Sequence, residues 1–190
     1  MNDPFPKGED SDADLMARIA CGEREAFRTL MDRHLPFVYR LAARVVGNLA
    51  DAEDVAQEAF LRVWRHADRF QPTAAPFTAW LNRVVVNLCL DRLRKPMPLP
   101  LEAAPEADDP APDGLARLVA TDQRKLIAAA VAALPERQRV ALVLCYYEEH
   151  SNAEAARMLS VTVSALESLL IRARRTLRDR LKMLAPAQGG

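Results

Sequence analysis

Three histidines, three cysteines and a pair of carboxylates one helical turn apart are the side chains of this 190-residue sequence that could carry catalysis. His34, His66 and His150 are scattered along presumed amphipathic segments. No glycine-rich phosphate loop, nucleophile elbow or metal-ligand spacing accompanies them. Cys21, Cys89 and Cys145 are odd in number, far apart and free of any CxxC partner. They read as small apolar residues on helices rather than redox or metal groups, and neither a disulfide framework nor a zinc centre is suggested. Asp54 and Glu58 could be an acid/base pair, but a solvated or partner-binding helix face explains them better. Neither an enzyme, a metal nor a cofactor is expected.

A different chemistry is written in the arginines near the end of the chain. Arg172, Arg174 and Arg175 follow a short capped segment, a three-residue break and an apolar-periodic run. A guanidinium can pair with phosphate or offer a bidentate fork to guanine, so such a run suits DNA. Ser151 and Glu154 form a capping box for a helix ending near Leu159. Ser160-Val161-Thr162 makes the turn, and a second helix starts near Val163. This is helix-turn-helix spacing, in which the second helix enters the major groove. Val163, Leu166, Leu170, Leu177 and Leu181 mark its inner face, with Ser168, Arg172 and Arg175 opposite. An ordinary surface helix with solvated arginines is the plainer alternative, and the capped helix and turn in front of it weigh against that.

The elements that must position these residues are all helices. Glycine is scarce at 6, half the chain is apolar, and no segment alternates with period two. Net charge is zero, yet unevenly spread. Residues 1–95 carry 14 basic and 14 acidic side chains, residues 96–122 carry 1 and 6, and residues 123–190 carry 11 and 6. Six prolines between Pro96 and Pro112 cannot sit in a helix interior, so this acidic stretch reads as a flexible linker. As a coil of about 25 residues it would span roughly 25–30 Å and let two helical domains occupy separate sites. The first domain is expected over residues 12–95, the linker over 96–121 and the second domain over 122–184. Helices are expected near 114–133, 136–148, 152–159 and 163–183. In the first half Gly47-Asn48 is a helix stop and Asp51 a new N-cap. Val55, Ala59, Phe60, Val63 and Trp64 form one stripe, while Glu53, Asp54, Gln57, Glu58 and Arg62 lie off it. No apolar run approaches the roughly 20 residues of a membrane span, and the acidic start lacks a signal-peptide pattern. A cytoplasmic protein is expected, without membrane insertion.

Two stretches together resemble the group IV, or extracytoplasmic-function (ECF), sigma factors of bacterial RNA polymerase. Asp51 to Trp64, followed by Phe70, Phe77, Trp80-Leu81, Arg83 and Asn87, is similar to sigma region 2. Leu134 to Arg174 is similar to sigma region 4. The resemblance implies that Asp54, Gln57, Glu58 and Arg62 dock on the clamp of the polymerase's largest subunit. It implies that Phe77, Trp80, Arg83, Asn87, Arg92 and Arg94 serve the −10 promoter element. It also implies that Thr162, Ser164, Glu167, Ser168, Ile171, Arg172, Arg174 and Arg175 read the −35 element. A contact with the flap of the second-largest subunit and control by an anti-sigma factor are further implications. Glu167 and Leu169 stand where members of the family often carry cations, which lowers the expected phosphate affinity. A sigma-like decoy, or a plain helix-turn-helix regulator that does not join polymerase, remains an alternative from sequence.

Overall fold

In a computed structural model, the structure describes residues 10–73, 76–94 and 126–184. The expected linker and the start of the helix read at 114–133 lie outside them. Every regular element among the described residues is helical.

The ends of the helices follow local chemistry. α1 (Asp12–Ala20) begins at Ser11, whose side chain accepts from the Asp14 amide while the Asp14 carboxylate accepts from the Ser11 amide. α2 (Arg24–Val46) runs for 23 residues through Pro36 and stops at Gly47, whose φ of 84° suits a residue without a Cβ. α3 (Leu49–His66) is capped by Asn48 rather than Asp51. Asp51 is one turn further in, and its amide donates to Asn48 Oδ1 at 2.8 Å. The reason is spatial: Asp51 is buried and its carboxylate is taken by Arg92 on the neighbouring helix. A 3-10 turn (Ala67–Arg69) leads from α3 towards α4 (Phe77–Arg94).

In the second half, residues 126–132 form α5 and Glu136–Leu142 form α6. Pro135 precedes α6 as its N-cap, with extended ψ, instead of occupying its first turn. The helix expected through residue 148 loosens at Val143–Tyr147 into a π-helical turn. α7 (Asn152–Leu159) carries the expected Ser151–Glu154 capping box and ends at Ser160 in the left-handed region. Thr162 Oγ1 then accepts from the Ala165 amide and starts α8 (Val163–Leu184).

The two halves are not held apart. α4 packs against α2 and α3 on one side and against α6 and α7 on the other. One continuous apolar cluster therefore runs from Leu15, Leu41 and Val85 through to Leu144, Met158 and Leu166. A smaller cluster of Val131, Leu134, Leu142 and Ala173 fixes α5 and α6 to α8. Burial of these apolar faces, not helix propensity, supplies most of the stabilisation.

Three expected core positions differ. Trp64 is 38% exposed and meets Phe27 edge-on at 5.2 Å, whereas Phe60 is buried. On α8 the buried face is Leu166, Leu170 and Ala173, while Val163 and Leu181 at its two ends are exposed. An end residue has neighbours on one side only, so periodicity overstates its burial.

Candidate nucleic-acid interface

The end of α3, the turn after it and the start of α4 enclose a cleft of about 350 Å3 lined by Arg62, His66, Arg69, Phe70, Trp80 and Val84. Phe70 and Trp80 form its aromatic wall, with ring centroids 6.0 Å apart. Phe77 is buried behind these half-exposed rings, packed against both of them and against His34. Cations beside half-exposed aromatic faces can accept an unstacked base and its phosphate together. Arg83 and Asn87 lie exposed on α4 one turn apart, continuing the strip that starts at Trp80. His66 and Arg69 were not among the sequence-derived contacts. Their signal is the 3-10 turn, which folds the chain back so that Arg69 faces a helix end that linear spacing leaves distant.

Arg92 and Arg94 close the same helix. Arg92 donates to Asp51 and reaches Asp54 Oδ2 at 3.3 Å. That ion pair, together with the Asn48 side chain, holds the Asp51 carboxyl below the usual carboxylate range even though burial opposes it. Arg92 thus ties the end of α4 to the start of α3. Arg94 meets Asp91 at 3.6 Å and Glu136 of α6 at 3.6 Å.

A second surface lies on the opposite side of α3. Phe27, Met31, Leu35, Pro36 and Tyr39 of α2 and Ala56, Phe60 and Leu61 of α3 line an apolar groove of about 640 Å3, with Glu53 and Gln57 at its edge. Asp54 and Gln57 are exposed. Glu58 pairs with Arg62 at 3.1 Å, four residues on. Arg62 consequently stands between this face and the base-sized cleft.

On α8 Ser164, Glu167, Ser168, Ile171, Arg172 and Arg175 are exposed and form one outer face beyond Thr162; Arg174, between them in sequence, is exposed as well. Ile171 is 64% exposed, an apolar side chain that a thymine methyl could cover. Arg172 Nε donates to the Ser168 carbonyl at 3.1 Å, leaving its terminal nitrogens free to point outwards. Arg174 turns the other way. Its guanidinium sits 5.3 Å from the Tyr146 ring centroid and donates to the Tyr146 hydroxyl. Leu169 is half-buried against the core, so its apolar identity follows from packing.

Cysteine chemistry is quiet. All three thiols are free, and burial pushes Cys89 up to about 12, which leaves it protonated at neutral pH. Among the described residues no group of histidines, cysteines and carboxylates could hold a metal ion. No described helix is long and apolar enough to cross a membrane.

Comparison with known proteins shows the family of the chain. Residues 30–96 match the family described as Sigma-70 region 2, and residues 124–177 match Sigma-70, region 4. The chain is 31% identical over 180 residues to the ECF RNA polymerase sigma factor SigW of Bacillus subtilis, covering 88% of this chain and 95% of that one. It is 40% identical over 161 residues to the ECF RNA polymerase sigma factor SigE of Mycolicibacterium smegmatis, where it spans only 60% of the relative's length. Among solved structures, CnrH in complex with the cytosolic domain of CnrY superposes with a TM-score of 0.64 at 30% identity, covering 92% of this chain and 99% of that one.

Proposed function

The chain belongs to the sigma-70 family, in its ECF branch, and from that premise we propose how its surfaces divide the work of starting transcription at a promoter. It joins core RNA polymerase and directs it to promoter DNA, as a transcription initiation factor that performs no catalysis of its own. Its compartment is the cytoplasm, where that polymerase works.

The apolar groove between α2 and α3, rimmed by Glu53 and Gln57, docks on the clamp of the polymerase's largest subunit, with the exposed Asp54 adding to that contact. An apolar floor with an acidic and amide rim suits a basic helical partner. Glu58 and Arg62, paired with each other on the side of α3 towards the cleft, add to the contact with the clamp. The second domain, over residues 122–184, touches the flap of the second-largest subunit and reads the −35 element through Thr162, Ser164, Glu167, Ser168, Ile171, Arg172 and Arg175. Glu167 can accept from a cytosine N4 amine in place of the absent cation. Arg174 braces α8 on Tyr146 and supports this face from behind. The first domain, over residues 12–95, takes the −10 element, with residues 96–121 as the tether between them.

The observation that carries this reading is the cleft of Arg62, His66, Arg69, Phe70 and Trp80. A duplex-reading regulator has no use for a pocket that accepts an unstacked base, whereas strand opening requires one. Arg83 and Asn87 contact the strand beside the flipped base. Phe77 and Arg92 hold the pocket and α4 in place, and Arg94 lies near the duplex end. Control by an anti-sigma factor belongs to the same reading, since the solved relative CnrH is held by the cytosolic domain of a second protein.

Run-off transcription with core polymerase and a promoter library tests the assignment. Phe70→Ala and Asn87→Ala should each reduce open complex by about tenfold, the worth of one stacked or hydrogen-bonded base, while closed-complex formation holds. Permanganate reactivity of melted thymines reads the difference. Normal reactivity in both variants would sink the pocket, and failure of the wild-type chain to support any start would sink the function.

A further inference from the structure

Behind the aromatic wall of the cleft, a chain of contacts leads back to the first helix. Phe77 is buried and packs against Phe70 and Trp80, at 5.9 and 6.0 Å between ring centroids. It also meets the imidazole of His34, from α2, at 5.1 Å and an angle of 57°. The His34 side chain is 13% exposed, and its Nε2 is 2.9 Å from Asp12 Oδ2 in the first turn of α1. A carboxylate only accepts, so Nε2 carries the hydrogen. Asp12 is itself fixed. Its Oδ1 accepts from Arg33 at 2.6 Å, and Arg33 also donates to the Asp10 carbonyl at 3.1 Å. α1 reaches the cleft by a second route, because it packs against the 3-10 turn of Ala67–Arg69 that brings Arg69 into the lining.

These contacts divide into two jobs. The pair of Asp12 with Arg33 is enough to hold α1 on α2, and His34 adds something that such a tie does not need. The second torsion of a histidine side chain is broad, and the hydrogen bond at Nε2 selects one orientation of the ring. In that orientation the imidazole meets Phe77, which packs against both half-exposed rings of the wall. A base stacks well only on a ring whose plane is held, since a tilt loses contact across the whole face. Phe70 and Trp80 border open space on the cleft side, so their planes are set from behind. Shape present before the ligand arrives lowers the cost of ordering on binding.

We propose that Asp12 and His34 are positioning residues for promoter melting: the imidazole, aimed by Asp12, sets Phe77 and through it the tilt of Phe70 and Trp80, so that the cleft is shaped before a base enters it. Neither side chain lines the cleft. Their influence is therefore confined to the step in which an unstacked base is taken up, and closed-complex formation uses other surfaces. The inference rests on the reading of the cleft as a base pocket given above.

Holoenzyme assembled from core polymerase and the full chain tests it on fork-junction DNA. The probe is a promoter that supports run-off transcription, with its −10 segment single-stranded on the non-template side. Each unpaired base is replaced in turn by an abasic site. With the wild type, loss of the captured base should weaken binding about tenfold, the effect of one stacked base. In His34→Ala the same loss should cost only about threefold, because rings free to tilt hold the base less well. Asp12→Ala should show the same reduced dependence, and combining it with His34→Ala should add nothing, since the carboxylate acts through the imidazole. His34→Gln keeps an N–H for Asp12 but brings no ring to Phe77, and should resemble His34→Ala. Affinity for the abasic fork should hold in every variant. Thermal melts of the variants separate stability from this ratio, and Asp12→Ala decides the matter if His34→Ala does not fold. Full base dependence in Asp12→Ala or in His34→Gln overturns the route through the imidazole to Phe77 and leaves the cleft standing. A wild type that loses no affinity at any abasic position overturns the base pocket, and this positioning role with it.

Discussion

At the scale of single residues, arginines of the same type do three different jobs, and sequence distinguishes only some of them. Arg172 and Arg175 are free on the outer face of α8, as helical spacing says. Arg174 is turned onto Tyr146, and Arg92 is tied to Asp51 and Asp54. Those two ties join positions 28 and 41 residues apart in the chain, beyond any local pattern. The Asp51 tie has a testable pH signature. Its folded carboxyl is held low, chiefly by the Arg92 hydrogen bond, so its stabilisation is present above the unfolded value near 3.9 and fades as pH falls through the folded one. Asp51→Asn should cost about 2 kcal/mol at pH 7, less than a fully buried pair because Arg92 keeps contact with water. Thermal melts of both proteins from pH 7 to pH 3 should converge at the acid end. A gap that persists undiminished at pH 3 would assign the loss to packing rather than charge.

At the scale of elements, the helical stripes and most helix ends were legible because local chemistry decides them. The Ser151–Glu154 capping box needs only residues three apart, and the Gly47 stop needs only the absence of a Cβ. The π-turn at Val143–Tyr147 was not legible. Its departure from α-geometry coincides with the place where Glu148 must meet α2, a demand set by tertiary packing. Nor was the cleft, since the 3-10 turn that brings Arg69 to Trp80 has no strong sequence mark. The turn of the helix-turn-helix offers a signed test. Ser160 holds φ 54°, a region costing an L-residue roughly 1–2 kcal/mol, whereas glycine enters it freely but loses more chain entropy. Ser160→Gly should therefore stabilise the protein by about 0.5 kcal/mol and Ser160→Val should destabilise it by more than that. Chemical denaturation with an unchanged slope checks both, and a glycine variant weaker than wild type would mean that the serine side chain contributes there.

For the whole molecule, zero net charge conceals a basic second half, and where the halves touch, Glu148 and Glu136 of the second pair with Arg44 and Arg94 of the first. The sequence reading gave the two halves independent positions because a proline-rich acidic stretch separates them. What it could not contain is the pairing of side chains more than 100 residues apart, such as Arg40 and Arg44 with Glu148. Affinity for DNA without polymerase should follow the cations that remain free. On the recognition face these are Arg172 and Arg175, since Glu167 and Leu169 occupy the neighbouring positions. Each phosphate neutralised contributes about −0.9 to the slope of log K against log salt, so an upstream-element duplex should show a slope of about −2. Arg172→Ala should halve it. Fluorescence anisotropy across a salt series measures both. A wild-type slope of about −5 or steeper would place further phosphate contacts outside α8 and transfer the affinity of this domain to residues other than its recognition helix.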